Sequence, residues 1–519
     1  MNISPMDLKK IKFSEVLLYC SVIAAIMWAT YFSIVTIFIP YQIEYREGTA
    51  QVMTGILLKG GNPFTFDNQP LAMNNYGLGY SLAVLPFAAL FGNTLLVHRS
   101  VTLFFVLLSA FLGYAVVQKK SSSSSFALIC LAFIMIGLLG YGGVGAFPSS
   151  LGTFLFLFAL FIPFLRSFDW IGLVVSLLSS LLAFYTKPYF LLAFGLIGSY
   201  LFLFVSKKKG ILYGVVFLAG LITSLLMVNR LLPLYFINTF IGNASNTDLR
   251  VEHLVSQLRV LFTSFYPALI LSTMILGMHF FNNRLQAKDL SNELLNASNW
   301  NAPFIKYSFD FPLYTFLCSL LVFVLVLGQH IGNYLNYAFQ LLIPTFFCWF
   351  LIKASQVQSF RWVFVLGIIF NLYSWELNTL DPAMLEQKDS KEWAQVYDYL
   401  HASSLTLNSP AVAAEVSTLG QTPMDSGQTS YFYAVKSFPE NLLTGTSYEK
   451  FYDDGFRYTV LIDRMIEKQK FDLVVTTKEK TSFYHSKILP KYYGIVDEIK
   501  VEMPHTNQFW TLVFWKPLR

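Results

Sequence analysis

Charge is scarce in this sequence and unevenly placed. Only 13% of the 519 residues are Asp, Glu, Lys or Arg, about half the share of an ordinary soluble protein, and 55% are hydrophobic. That balance excludes a small soluble enzyme and a disordered protein, and it implies an integral membrane protein. Of the 66 charged residues, 34 lie in the last 144 positions, from Glu376 onward. Two physical regimes therefore share the chain: a lipid-embedded part, residues 1–375, and a water-soluble domain, residues 376–519. Cysteine is almost missing too. Cys20, Cys130, Cys318 and Cys348 all sit in apolar runs and none is in the polar tail, so no disulfide framework is implied. No His pair at ligand spacing and no Cys cluster offers a metal site, and neither a P-loop nor a dinucleotide fingerprint occurs. No repeat at a fixed period is found. The net charge of +6 is carried by short basic clusters beside apolar runs, a pattern that sets topology and argues against nucleic acid as a partner.

What is present is apolar length. Runs suited to crossing a bilayer fall at roughly 16–39, 98–118, 126–145, 150–165, 170–186, 188–205, 211–229, 261–281, 311–329, 336–352 and 361–375, about eleven in all. Lys9, Lys10 and Lys12 precede a first run longer than a signal-peptide core and without an obvious cleavage site, so it is expected to be retained, with the N-terminus inside. The basic groups Lys119 and Lys120, Arg166, Lys207 to Lys209, Arg284 with Lys288 and Lys306, and Lys353 with Arg361 then all fall on the cytoplasmic side. An odd number of spans puts the C-terminal domain outside. Tyr80 to Phe91 is apolar but short; counted as a span it would invert every later loop, so it is expected as a helix lying at the outer interface. The first outer loop, residues 40–97, is long, and long loops in compact folds are usually functional. In the tail, Glu392 to His401 has an amphipathic helical pattern, and Phe471 to Thr476, Gly494 to Met503 and Phe509 to Trp515 read as strands, the last two as a hairpin. A small α/β domain follows from this.

Three features could carry chemistry, and all three reach the outer face. The first is Tyr41-Gln-Ile-Glu44-Tyr-Arg-Glu47-Gly48, directly after the first run. A carboxylate partly shielded at a membrane surface can have a raised pKa and act as a base toward a hydroxyl; the plainer alternative is a pair of solvated acids ending a helix, with Arg46 as partner. The second is Tyr185-Thr186-Lys187-Pro188-Tyr189, where a lysine between two apolar runs suits a phosphate or simply snorkels to the headgroups. The third is the polar strip from Gly328 to Tyr337, with His330, Asn333 and Tyr337, which could bind a sugar or phosphate or could pack through ordinary hydrogen bonds. Between the first two lie Gly61-Asn62-Pro63-Phe64 and Tyr76-Gly77-Leu78-Gly79-Tyr80, which read as turns that return the loop to the bilayer.

The order of these motifs resembles the GT-C superfamily of membrane glycosyltransferases, especially the family 39-like group that includes protein O-mannosyltransferases and the aminoarabinose transferase of lipid A. The resemblance rests on Glu47-Gly48, the Gly61 to Phe64 turn, Tyr76 to Tyr80 leading into an interfacial helix, and Thr186-Lys187 ending a later span. It implies a polytopic helical GT-C-like fold and a polyprenyl-phosphate-linked sugar donor entering from the bilayer. It further implies inverting transfer to a hydroxyl acceptor, lipid, glycan or protein, on the outer face of a bacterial plasma membrane. Family members commonly have an adjacent acidic pair in the first loop; here the residue before Glu47 is Arg46 and the other acid is Glu44. Glu47 is the expected base and Glu44 its substitute, and Lys187 is expected to neutralise the departing lipid phosphate. His330, Arg259, Tyr76, Asn333 and Tyr337 are further candidates for holding phosphate or sugar. No cofactor is required, and a divalent metal is left open. A transporter or flippase of a lipid-linked glycan, or a non-catalytic assembly protein, is the alternative.

Overall fold

The computed structural model describes residues 13–65, 68, 74–142, 144–241, 249–284, 300–305, 309–330, 337–356, 366–373, 391–425, 460–478, 488–503 and 508–518. The first described helix is α1 (Phe13–Phe38), whose exit leads through a series of bends and turns into α2 (Glu47–Leu58), followed by α3 (Gly79–Phe91). Then come α4 (Leu95–Ser121), α5 (Ser124–Gly142), α6 (Pro148–Leu165) and α7 (Trp170–Thr186). After a 3-10 turn at Pro188–Leu191 follow α8 (Leu192–Tyr200), a π turn at Leu201–Val205 and α9 (Lys207–Leu231). The helical part continues with α10 (Val251–Arg284), α11 (Phe311–Leu325) and, after a π turn at Ala338–Leu342, α12 (Ile343–Ala354).

Among the described residues six stretches are long and apolar enough to cross a membrane: Val16–Phe38, Leu95–Ser121, Pro148–Leu165, Pro188–Val205, Lys207–Leu231 and Val251–Ile275. Four other expected spans form shorter apolar helices, Ser124–Gly140, Trp170–Thr186, Phe311–Leu325 and Ala338–Ala354, and Gly79–Phe91 is a fifth of that kind. Ten of the eleven expected runs therefore coincide with an apolar helix, six of them long enough to cross by length and composition. At about 1.5 Å per residue, a helix shorter than about 18 residues falls short of a 30 Å hydrocarbon core. Of the run at 361–375, residues 366–373 are helical and the rest lies outside the described residues. Along α9, Val215, Ile222, Leu226 and Leu231 are exposed, an apolar surface with no protein cover that suits lipid contact. The chain is a helical membrane protein carrying a small C-terminal sheet.

Cations gather at one end of the helices. Lys119 Nζ donates to Leu165 O at 2.7 Å, at the C-terminus of α6, and Lys209 Nζ donates to Phe168 O at 3.1 Å. Lys353 pairs with Asp310 at 2.9 Å. The carbonyls left open at a helix C-terminus are natural partners for such side chains. Asp169 caps the start of α7 through Gly172 N at 2.7 Å, so α6 and α7 turn at this end and α7 carries the chain toward the opposite one.

The C-terminal unit contains α13 (Lys391–His401), β1 (Thr406–Leu407), α14 (Ala413–Thr418), β2 (Leu473–Thr477), α15 (Leu489–Tyr492), β3 (Tyr493–Met503) and β4 (Gln508–Pro517). The boundary expected at residue 375 lies outside the described residues. The sheet order is β1-β2-β4-β3, with β1 parallel to β2 and the other pairs antiparallel. The expected hairpin is thus β3 with β4, bulged between Ile495 and Asp497. Trp510, Leu512 and Phe514 recur at the strand period of two and are all buried. Trp393, Val396 and Leu400 form the buried stripe of α13, and Tyr399 of that helix stacks on Phe514 at 4.6 Å.

Trp510 is the largest fully buried side chain and reaches beyond the sheet to stack on Tyr45 at 5.5 Å. Trp510→Ala is expected to cost about 3–5 kcal/mol. Thermal unfolding of the full chain in detergent checks this, and an unchanged unfolding temperature would contradict it.

Candidate functional site

The segment between α1 and α2 is fixed by a buried ion pair. Arg99, in the second turn of α4, is fully buried, as is Glu47, the first residue of α2. The guanidinium spends all five donors. Nε and Nη2 go to Glu47 Oε1 and Oε2 at 2.9 and 2.7 Å, Nη1 goes to Thr36 O and Ile39 O at 3.2 and 2.5 Å, and Nη2 also reaches Tyr41 O at 2.7 Å. Glu47 is equally complete: besides Arg99, Oε1 accepts Ala146 N at 3.0 Å and Oε2 accepts Ile43 N at 2.8 Å. Burial alone would push the Glu47 carboxyl up. The Arg99 charge, its hydrogen bonds and the two backbone N–H groups outweigh this and hold it below the usual carboxylate range.

Glu44 has a different environment one turn earlier. It is also fully buried, but among the described residues its carboxylate bonds go to Arg46: Oε1 accepts Nε at 2.7 Å and Oε2 accepts the backbone N at 2.7 Å. Burial raises its pKa above the ordinary value against the opposing Arg46 charge, and the nearby Glu47 adds to the rise. Each oxygen of Glu44 therefore keeps a lone pair beyond those bonds, whereas Glu47 keeps none.

Arg46 carries the cluster onward. Its Nη1 donates to Tyr76 Oη at 3.2 Å, and the guanidinium lies 5.5 Å from the ring centres of Tyr45 and Phe147. Across the Tyr76 ring stands Lys187, its Nζ 4.6 Å from the ring centre, 5.8 Å from that of Tyr189, and bonded to Ser149 Oγ at 2.7 Å. Lys187 is in extended conformation, as the residue before a proline prefers, and so ends α7. Burial, with the Arg46 charge adding to it and Glu44 opposing, pushes the Lys187 ammonium down to about 7.

Gly77 explains how Tyr76 gets there. Its N–H donates to Thr186 O at 3.0 Å, and a Cβ at this position would come within 1.9 Å of Tyr185 O. Only a glycine lets the loop backbone touch the end of α7 and lay Tyr76 beside Lys187. The Asn62 to Phe64 turn docks elsewhere: Asn62 Nδ2 donates to Leu231 O at 2.8 Å, at the end of α9.

Of the residues singled out from the sequence, Glu44, Glu47, Tyr76 and Lys187 lie in this cluster. Tyr337 joins it at the edge, its ring 4.3 Å from that of Tyr189, whose hydroxyl bonds Gln340. His330 bridges to Leu249 beside the start of α10, and Arg259 is exposed on α10. Asn333 lies outside the described residues. Sequence reasoning passed over Arg46 as a site group, and over Ser149 and Arg99. Arg99 had a signal: an arginine beside a long apolar run is costly unless it serves a purpose. Among the described residues no three His, Cys, Asp or Glu side chains gather as a metal-binding group.

No protein-family model matches the chain, and no curated protein matches it. Among solved structures it is similar to the crystal structure of ArnT from Cupriavidus metallidurans bound to undecaprenyl phosphate. The identity is 14%, the match covers 86% of this chain and 80% of that one, and the TM-score is 0.42. An overlap of that size establishes no common fold, so function has to be sought in this chain's own residues.

Removing one partner of a fully buried ion pair leaves an uncompensated charge. Arg99→Met is therefore expected to destabilise the full chain by about 3–5 kcal/mol, and the double variant Arg99→Met, Glu47→Leu by less than Arg99→Met alone. Chemical denaturation in mild detergent measures both; equal losses would show that the charge left behind is not the cause.

Proposed function

We propose that this protein is a membrane glycosyltransferase that moves a sugar from a polyprenyl-phosphate-linked donor to a hydroxyl acceptor at the outer face of a bacterial plasma membrane. The observation that carries the reading is the convergence of Glu44, Arg46 and Lys187 around the Tyr76 ring, a buried carboxylate beside two cationic side chains. A base and an anion site within one small cluster are what transfer from a phosphate-linked sugar needs. The motif resemblance to GT-C enzymes points the same way.

Glu44 is the base in this proposal, in place of Glu47. A base needs a free lone pair and appreciable proton affinity, and Glu44 has both, while Glu47 is spent on Arg99 and two backbone groups. Glu44 takes the proton of the acceptor hydroxyl as its oxygen attacks the anomeric carbon. The bond from that carbon to the phosphate oxygen breaks on the opposite face, so the configuration inverts. The lipid phosphate leaves with the bonding electrons toward Arg46 and Lys187. Arg46 offers a planar donor pair, Lys187 a point charge. Because Lys187 is held near neutrality by burial, an arriving phosphate favours its protonated form and couples donor binding to charge. Tyr76 and Tyr189 wall this pair, and Tyr337 extends the wall.

Release of free polyprenyl phosphate from a panel of polyprenyl-phosphate sugars, with a crude lipid and glycan acceptor extract, tests the proposal. Glu44→Gln is expected to lower turnover about 100-fold or more, and Lys187→Ala about 10-fold or more. Glu47→Gln is expected to show lost stability in proportion to lost activity. Turnover lost in folded Glu47→Gln but kept in Glu44→Gln would return the base to Glu47. No turnover of any donor by well-folded wild type would overturn the transferase reading in favour of a transporter or assembly protein.

A further inference from the structure

The loop that carries Glu44 is moulded on one side by the C-terminal unit. Gln42 is fully buried, and three of its polar groups turn to one short stretch of that unit. Its backbone N–H donates to Glu415 Oε1 at 2.7 Å, its side-chain amide donates to Pro410 O at 3.0 Å, and its side-chain carbonyl accepts Ala414 N at 2.6 Å. Gly48 is the counterpart on α2: a Cβ there would stand 2.6 Å from Ala413 Cβ and 2.9 Å from Gln42 Oε1, so the two backbones meet only because position 48 is glycine. Other contacts run the same way. Tyr397 Oη donates to Pro40 O at 2.8 Å, Tyr41 stacks on Trp393 at 4.6 Å and 5°, and Gln51 Nε2 reaches Thr418 Oγ1 at 3.2 Å. From Pro40 to Gln51 the loop is thus gripped by Arg99 from the helical part and by residues 393–418 from the tail, with Glu44 and Arg46 turned to Tyr76 and Lys187.

We propose that Gln42 and Glu415 are positioning residues, a latch through which the C-terminal unit fixes the backbone on either side of Glu44 and so sets its place against Lys187. The role in turnover rests on the glycosyltransferase reading; the latch itself does not. Glu415 serves as a neutral acid. It is 1% exposed, its Oε2 has no hydrogen-bond partner among the described residues, and burial pushes its carboxyl up to about 8, with the negative Glu47 adding to the rise. The Gln42 N–H needs one acceptor oxygen at this place, and a glutamine supplies the same oxygen.

The test compares full-length wild type, Gln42→Ala, Glu415→Leu and Glu415→Gln in lipid nanodiscs, by amide hydrogen exchange over residues 40–51 and 410–418 and by donor turnover. In Gln42→Ala and Glu415→Leu, exchange is expected to rise about 10-fold or more in both segments together. Turnover is expected to show a fall in kcat of about 10-fold with KM for the lipid donor little changed, since misplacing a reacting group costs rate more than ground-state binding. Glu415→Gln is expected to stay near wild type on both measures. Unchanged exchange in both segments of Gln42→Ala overturns the latch. Raised exchange with unchanged kcat overturns the positioning role, and failure of Glu415→Gln to match wild type overturns the neutral-acid assignment. Should wild type turn over no donor, the transferase reading falls, while the exchange data still decide whether the latch exists.

Discussion

The Arg99–Glu47 ion pair is the constraint on which the candidate site depends. A guanidinium and a carboxylate buried together at the edge of an apolar helix are expensive to desolvate, and they are tolerable because every donor and every acceptor site of the pair is used. The acceptors come from the end of α1, the chain beyond it and the start of α2, and a further donor comes from the segment before α6. Three helices and two loop segments are therefore tied at a single point. With that point fixed, the position of Glu44 three residues earlier is no longer a matter of loop flexibility.

The same tie explains why two acids so close in sequence differ in character. Glu47 faces a cation whose charge is committed to it alone and has become a structural anion. Glu44 is buried beside a cation that also reaches Tyr76, and it feels the negative charge of Glu47, so it retains affinity for a proton. Environments that drive neighbouring titratable groups apart are how a fold divides structural from chemical duty between them.

Much of the architecture was legible in the sequence. The apolar runs located the helices, alternating residues in the tail located β2, β3 and β4, and the hairpin pairing followed from the short link between its strands. The sequence places the Glu44, Lys187 and Gly328 to Tyr337 segments at one face; in the structure the first two meet through Arg46 and Tyr76, and of the third Tyr337 stands at the edge. What was not legible depends on side-chain geometry across long separations. Nothing local to Glu44 or Glu47 says which one will meet Arg99, and Gln42 looks like an ordinary loop residue until residues 410–415 are folded against it. His330 and Arg259 had the right chemistry for a phosphate, but the segments that carry them pack around α10. Ten of the eleven expected spans coincide with apolar helices, six of them long enough to cross a membrane; hydropathy reports composition and leaves helix length to the fold.

The bond from Gln42 to Glu415 joins residues 373 positions apart, and the stack of Tyr45 on Trp510 reaches further still. During synthesis residues 40–51 leave the ribosome hundreds of positions before the partners at 393–418 and 510 are made. Contacts of such long range form late, because the intervening chain must be ordered before they are rewarded. The Arg99 tie that distinguishes Glu47 from Glu44 needs no residue beyond Ala146, whereas the Gln42 contacts wait for residues 410–415. The stretch from Pro40 to Gln51 can therefore meet these partners only after positions 393–418 have been made.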